Sequence, residues 1–248
     1  MEEAWIDGDL KSMLENQNIS SDISFLFTKN MAVPDVHRYN VEICKPKKKL
    51  RITLHHNNTT DFPCSRYSDL APKQVDKSIV LVLESPHIDE FAGVLTNAKP
   101  VAPAQGVTGR NIESYITEHI AYAMKQGLIE LGTFPIIIVE SIQWNTSLSV
   151  LSRKSLDKDL RDEVFRKVWI NSVEEEFIFR MERLKPCLIM NACTKGSNKQ
   201  LVKELQLRNL VLHSLMGKFM DINIMGTPHP SSPYFRLSNW DSIHRKLS

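Results

Sequence analysis

IVLVLESPH, residues 79–87, is a run of five apolar residues that passes directly into a short polar segment with a Pro-His pair. A second, mostly apolar run, INIMG at residues 222–226, passes in the same way into TPHPSSP at residues 227–233. Short apolar runs bounded by Pro and Gly are typical of strands that are buried on both faces of a sheet. Ligands of such sheets bind outside the carboxyl ends of the strands. We therefore expect both polar segments to face one crevice.

Strands and helices alternate from Ser78 onward, which favours an α/β fold. The predicted strands cover residues 79–83, 134–139, 187–190 and 221–225. Helices are predicted after the loop at residues 105–109, over residues 156–184, and over residues 201–207 behind a Ser-x-x-Gln capping box at residues 197–200. The pattern predicts a three-layer α/β/α sandwich with a short, mostly parallel central sheet.

Residues 1–77 are more polar and are interpreted as an N-terminal extension, with residues 78–248 forming the catalytic domain. Within the extension, residues 39–44 and 50–55 predict a β-hairpin around a lysine-rich turn. That turn is expected either to be solvated or to contact phosphate groups.

Composition and charge limit the classes to which the protein can belong. The chain has 248 residues and a net charge of +2, which neither requires nor excludes a nucleic-acid partner. No run approaches the roughly 18 apolar residues of a membrane span, and the N-terminus lacks a signal-peptide pattern, so a cytoplasmic location is expected. No C-x-x-C pair or metal-ligand spacing occurs, so reduced thiols, and neither a metal site nor a cluster, are expected at Cys44, Cys64, Cys187 and Cys193.

Five polar segments follow in a fixed order along the chain: ESPH at 84–87, GVTGRN at 106–111, ESIQWN at 140–145, NACTK at 191–195 and GTPHPSSP at 226–233. This ordered set resembles the uracil-DNA glycosylase superfamily from about Ser78 to the C-terminus. The resemblance implies an enzyme that flips a base out of DNA and hydrolyses its N-glycosidic bond, leaving an abasic site. It also implies that neither a metal nor an organic cofactor is used.

Cleavage of a glycosidic bond builds positive charge on the sugar and negative charge on the departing base. His229 matches the family's motif histidine, which implies a hydrogen bond to the carbonyl oxygen of the leaving base. Glu84 and Ser85 stand where the family carries its water-activating Asp or Asn. Because a serine cannot act as a carboxylate base, either Glu84 takes that role, which we favour, or catalysis relies on stabilisation of the leaving base alone. His87 and Asp89 could also hold water.

Glu140 falls near the position of the asparagine with which uracil enzymes read their base. A carboxylate accepts from the exocyclic amine of cytosine and repels the O4 of uracil. Glu140 therefore favours a modified cytosine, such as the glucosylated hydroxymethylcytosine of phage DNA, and the chain resembles phage-defence glycosylases. A shift of one or more residues would instead make Gln143 or Asn145 the reader and uracil the base. Other predicted base contacts are His87, Trp144, for which core packing is the alternative, and Asn191.

The residues predicted to contact DNA are Arg110, Lys195, Ser231, Tyr234, Phe235 and Arg236. The family inserts an apolar side chain into the gap left by the flipped nucleotide. Tyr234 and Phe235 follow the His-Pro-Ser segment at that place, with Arg236 next to them for a phosphate. The alternative is that both rings pack against the C-terminal segment.

Two readings compete with a glycosylase. The replacement of the usual Asp or Asn by Ser85 favours a catalytically silent relative that binds nucleic acid. An unrelated α/β hydrolase ranks last, because the chain has neither a Gly-x-Ser-x-Gly elbow nor a phosphate-binding Gly-x-x-x-x-Gly-Lys loop.

Overall fold

The computed structural model describes residues 12–13, 24–57, 77–93, 97–149, 158–196, 205–236 and 242–244. Cys64, the predicted capping box at residues 197–200 and the first four residues of the helix predicted over 201–207 lie outside these ranges.

The structure is an α/β fold built on one large sheet. The strands are β1 Val36–Cys44, β2 Arg51–His56, β3 Ser78–Leu83, β4 Phe91–Ala92, β5 Lys99–Pro100, β6 Gly132–Glu140, β7 Pro186–Asn191, β8 Asn223–Gly226 and β9 Ser242–His244. Seven of them form the sheet in the order β2-β1-β6-β3-β7-β8-β9, and β4 pairs with β5 apart from it. The four predicted strands are confirmed as β3, β6, β7 and β8, although β8 begins at Asn223.

Helices cover both faces of this sheet. They are α1 Gly106–Lys125, α2 Lys158–Val168, α3 Glu174–Arg183, α4 Leu207–Lys218 and the single turn α5 Pro233–Arg236. The long helix predicted over 156–184 is present, with a π-helical segment, Trp169–Val173, between α2 and α3. The helix predicted to end at Leu207 instead begins there, because Leu207, Val211 and Leu215 recur every four residues and are all fully buried.

Side chains of β3 alternate between two hydrophobic clusters. Val80 and Val82 pack with residues of α2, α3 and α4 on one face. Ile79 and Leu81 pack with the apolar stripe of α1 on the other. All six residues of β3 are buried, as expected for a strand with helices on both sides. The predicted three-layer arrangement is confirmed.

The parallel part of the sheet consists of β6, β3, β7 and β8. In chain order these are the second, first, third and fourth of the four strands, so the order reverses between β3 and β7. The helix that follows β3, α1, packs on one face of the sheet, and the helix that follows β7, α4, packs on the other face. The loops after β3 and β7 therefore diverge, which creates the crevice where α/β sheets bind ligands.

The predicted hairpin is confirmed and belongs to the same sheet, because β1 pairs antiparallel with both β2 and β6. Ile43 pairs with Gly132, at the start of β6. The lysine-rich turn therefore lies at the opposite end of the sheet from Glu140, about 25–30 Å away at the rise of a strand. It is therefore far from the carboxyl edge, where the crevice lies. The domain boundary at residue 77 stays a prediction.

Within the described ranges, no helix has both the length and the apolar character needed to cross a membrane. Cys44, Cys187 and Cys193 are free thiols. The same ranges contain no group of three His, Cys, Asp or Glu side chains arranged to hold a metal ion.

Candidate functional site

A cavity of about 340 Å³ lies at the carboxyl edge of the sheet. Its walls come from the loop after β3, the start of α1, Arg161 of α2, Thr194 after β7, and His229 with Ser231 after β8. Glu84 and His229, which are 145 positions apart in the chain, both line it. The structure thus brings together the two residues that the sequence assigned to catalysis, and we call this space the Glu84–His229 cavity.

Glu84 is a buried carboxyl group with only 5% of its surface exposed. The Thr194 hydroxyl donates a hydrogen bond to its Oε2, and Nε of Arg161 lies 3.8 Å from its Oε1. Burial raises the pKa of Glu84 to about 6, and the Arg161 charge opposes that rise. The group is therefore ionised at neutral pH and titrates just below it.

Arg161 is held in place by the residue that follows it. Its Nε and Nη2 atoms donate to Oδ1 of Asp162 at 3.1 and 2.7 Å. Gly196 packs onto the same carboxylate: its φ is +85°, and a Cβ there would lie 2.6 Å from Asp162 Oδ2. Glycine thus lets the segment after β7 close over the ion pair. No motif in the sequence pointed to Arg161.

His229 is a partly exposed side chain whose Nδ1 lies 2.8 Å from the Ser231 hydroxyl. The backbone N–H of Ser231 also donates to Nδ1, at 3.2 Å. Because Nδ1 accepts this bond, the ring proton is assigned to Nε2, for which no described residue is a partner. Desolvation, with the charges of Arg208 and Arg161, lowers the pKa of His229 to about 4. At neutral pH the ring is an uncharged donor through Nε2.

The loop that carries His229 is tied to α1. Nδ2 of Asn111, a buried residue of the first helical turns, donates to the carbonyl oxygen of Pro230 at 2.6 Å. Arg236 in turn reaches Asn111 Oδ1 at 3.4 Å. The segment GVTGRN therefore supplies a support for the histidine loop.

Replacing Asn111 with alanine should lower the free energy of unfolding by about 1–3 kcal/mol, because the buried Pro230 carbonyl loses its donor. Chemical denaturation measures this change. The control is Arg110→Ala, at the exposed neighbouring position, which we expect to stay close to the unaltered protein. Equal stability of the two variants would show that the Asn111 bond does not hold the loop.

Glu90 organises the wall formed by the loop after β3. Its Oε2 accepts from the backbone N–H of His87 at 2.6 Å, and its Oε1 from that of Gln105 at 3.0 Å. Burial raises the pKa of Glu90 to about 7. Glu90 therefore joins this loop to the start of α1. No feature of the sequence pointed to this role, because a single glutamate in a loop is usually solvated.

The other predicted residues of this loop, Ser85, His87 and Asp89, also line the cavity. Ser85 Oγ lies 2.7 Å from the Thr146 hydroxyl. Nδ1 of His87 lies 3.7 Å from Asp89 Oδ2, and both side chains are more than half exposed. They are open to a ligand or to water at the mouth of the cavity.

Glu140 is buried to 2% exposure and does not line the cavity. Burial, together with the nearby charges of Glu90 and Glu84, raises its pKa well above the ordinary value. Its Oε2 has no hydrogen-bond partner in the described part of the chain. Glu140 therefore lies buried beside the site and outside the wall of the cavity.

Two further predicted base contacts are structural. Trp144 is fully buried in the hydrophobic core and donates from Nε1 to the Thr28 carbonyl at 2.9 Å. Asn191 uses Nδ2 to reach the Arg208 carbonyl at 3.2 Å and Oδ1 to accept from the Cys193 N–H at 3.2 Å. Stacking of Trp144 on a base would require it to leave the core, so the alternative of core packing is the correct one.

The two residues that were the alternatives to Glu140 for recognising the base are also buried. Gln143 and Asn145 each have 1% exposure. Nδ2 of Asn145 donates to the Pro86 carbonyl at 2.8 Å, and so fixes the loop after β3 from behind. Neither residue lines the cavity.

Five of the six residues predicted to contact DNA are exposed. Arg110, Lys195, Ser231, Tyr234 and Arg236 are all accessible, and Tyr234 keeps 60% of its surface in solvent. Phe235 is the exception: it is fully buried and its ring stacks on His119 at 4.2 Å. Its prediction as a wedge is wrong, because the apolar side of α5 packs against α1.

Comparison of the chain with protein-family models, with curated proteins and with solved structures finds no match. The function must therefore be inferred from the chemistry of this site.

Proposed function

We propose that the protein is a monofunctional DNA glycosylase that flips out a modified pyrimidine and hydrolyses its N-glycosidic bond. One observation carries the proposal: a buried carboxylate, Glu84, and a neutral imidazole, His229, line one cavity at the point where the strand order reverses. The partner is DNA, and the product is an abasic site. The carboxyl group of Glu140, at the end of β6, favours a modified cytosine such as glucosylated hydroxymethylcytosine, and uracil is the alternative base.

The two groups suit the two charges that develop in this reaction. The bond between C1′ and the base nitrogen breaks, and its electron pair leaves with the base. His229 Nε2–H donates to the oxygen of that base and stabilises the anion. Glu84 stabilises the positive sugar and accepts a proton from the water whose oxygen bonds to C1′. Solvent then protonates the released base.

Thr194 and Arg161 prepare Glu84 for this role. The Thr194 hydroxyl fixes one carboxylate oxygen, and the Arg161 charge favours the ionised form. A water-activating carboxylate is useful when its pKa lies close to the working pH. Both residues therefore act as positioning residues, through Glu84.

The pH dependence follows from these groups. We expect kcat/KM to fall as the pH drops through about 6, where Glu84 takes up a proton. We assign this acidic limb of the pH profile to Glu84, because the pKa of His229 is held near 4 and that of Glu90, about 7, lies above it. Arg161→Gln should move the limb to higher pH, since removal of the cation lets the pKa of Glu84 rise. Single-turnover rates across the acidic range measure this shift.

The control for Arg161→Gln is Lys167→Gln, which removes one positive charge from the same helix away from the cavity. Its pH profile should match that of the unaltered protein. An unmoved limb in Arg161→Gln would show that Arg161 does not set the ionisation of Glu84.

The substrate preference is tested with DNA duplexes and single strands that contain uracil, cytosine, 5-hydroxymethylcytosine or glucosylated hydroxymethylcytosine. Base release leaves an alkali-labile site, so cleavage after alkali identifies the substrate. Release from the glucosylated base supports the favoured reading, and release from uracil supports the alternative. Binding without release from any of them would favour a catalytically silent nucleic-acid-binding protein.

A further inference from the structure

A second cavity, of about 440 Å³, adjoins the first. The two share Thr194 and His229. The remaining residues that line the second cavity are Lys195, Arg208, Pro228, Ser232 and Tyr234. We call it the Arg208 cavity.

Arg208 is built into the wall of this cavity. Only 7% of its surface is exposed, and its Nε donates to the Cys193 carbonyl at 2.7 Å. Its backbone N–H donates to the Thr194 carbonyl at 2.9 Å, and its own carbonyl accepts from Asn191. A guanidinium held in this way loses little conformational entropy when an anion binds.

The two cavities differ in charge. The carboxyl groups of Glu84, Asp89 and Glu90 all line the Glu84–His229 cavity, and Arg161 is the one lysine or arginine among the described residues of its wall. Among the described residues that line the Arg208 cavity, two are such cations, Lys195 and Arg208, and none is a carboxylate. This polarity matches a nucleotide that is losing its base, because the sugar becomes positive while the neighbouring phosphate stays negative.

We propose that the Arg208 cavity binds a phosphodiester group of the DNA strand next to the nucleotide whose base enters the Glu84–His229 cavity. Arg208 supplies a directed, charge-assisted contact to the phosphate, and Lys195 supplies a second positive charge. The hydroxyl groups of Ser232 and Tyr234 are further donors on the same wall. The inference rests on the proposed function in taking DNA as the ligand.

The test uses duplex DNA with a tetrahydrofuran abasic-site analogue, which needs no knowledge of the excised base. Each phosphodiester around the analogue is replaced in turn by an uncharged methylphosphonate, and binding is followed by fluorescence anisotropy. One such replacement should weaken binding by about 10- to 100-fold, as expected for a hydrogen bond to a charged group. Arg208→Gln should weaken binding to the native duplex by a similar factor.

The decisive readout is the coupling between the two changes. In Arg208→Gln the same methylphosphonate should have no further effect, because the pair has already been broken. Arg183→Gln, an exposed arginine of α3 outside both cavities, should keep the full sensitivity. Arg208→Lys provides a second variant that keeps the charge, and should recover part of the affinity if Arg208→Gln is poorly folded.

If Arg208→Gln remains as sensitive as the unaltered protein to every methylphosphonate, or if the protein does not bind this DNA, the proposal is overturned. Because the assay measures binding alone, coupling without release of any base would leave the phosphate site standing and contradict the proposed glycosylase. Base release without coupling would support the glycosylase and contradict the phosphate site.

Discussion

His229→Ala should lower the single-turnover rate of base release by about 10²–10³-fold, the usual cost of removing one donor to a developing anion. The reason is geometric: Nδ1 is engaged by Ser231, so Nε2–H is the ring's donor toward a bound base. Binding of abasic DNA should change much less, because that ligand has no base to accept the bond from His229.

The matched control is His213→Ala, which removes an exposed histidine of α4 outside both cavities and should leave the rate unchanged. The thermal unfolding of both variants shows whether the fold is intact. A His229→Ala protein that is folded and releases base at the normal rate would remove His229 from the reaction.

Glu84→Gln should lower base release by about 10²–10⁴-fold, the range for loss of a general base. Glutamine keeps the size of the side chain and an oxygen to accept the Thr194 hydroxyl bond. It removes the negative charge that faces the sugar and the group that accepts the proton of water. The remaining rate should also lose its dependence on pH near 6, where Glu84 titrates.

Glu42→Gln removes an exposed carboxylate from β1 and serves as the control. It should keep both the rate and the pH profile. If Glu84→Gln retains the acidic limb of the profile, another group titrates there, and Glu90, with a pKa raised to about 7, is the first candidate.

The sequence predicted the fold well where local pattern and burial agree. The apolar runs at β3, β6, β7 and β8 are short and bounded by turn residues, and in the structure they form the parallel centre of the sheet. The convergence of Glu84 and His229 was predicted for the same reason, because both residues follow strands that end at one edge. Predicting this convergence requires only the positions where the strands end, and those positions are visible in the local sequence.

The side chains of the middle motif show where this reasoning stops. Strand β6 ends at Glu140, and both Glu140 and Trp144 are buried, Trp144 within the hydrophobic core. A strand end locates the backbone, but it does not fix on which side of the sheet the following side chains lie. The exposure predicted for Phe235 is not found for a similar reason. Its ring stacks on His119, which lies on α1, far away in the sequence.

Arg161 and Arg208 were missed because neither belongs to a motif. Each is one polar residue of an amphipathic helix, and an isolated arginine on a helix reads as solvated. Their positions depend on long-range partners: Arg161 reaches Glu84, and Arg208 is anchored to the Cys193 carbonyl. Only the tertiary structure brings such residues to the two cavities.

The most direct test of the central claim is a single-turnover reaction in ¹⁸O-labelled water on the DNA that the substrate panel identifies, with both products analysed by mass spectrometry. A glycosylase of this kind releases the intact free base and leaves an uncleaved abasic strand that carries one ¹⁸O atom, introduced at C1′. Because the aldehyde of an abasic site exchanges its oxygen with water, the product is reduced at once to fix the label. Release of the base in this form, lost in His229→Ala and Glu84→Gln, is the predicted result. Strand scission, deamination of the base in place, or no reaction on any DNA would contradict hydrolysis of the N-glycosidic bond.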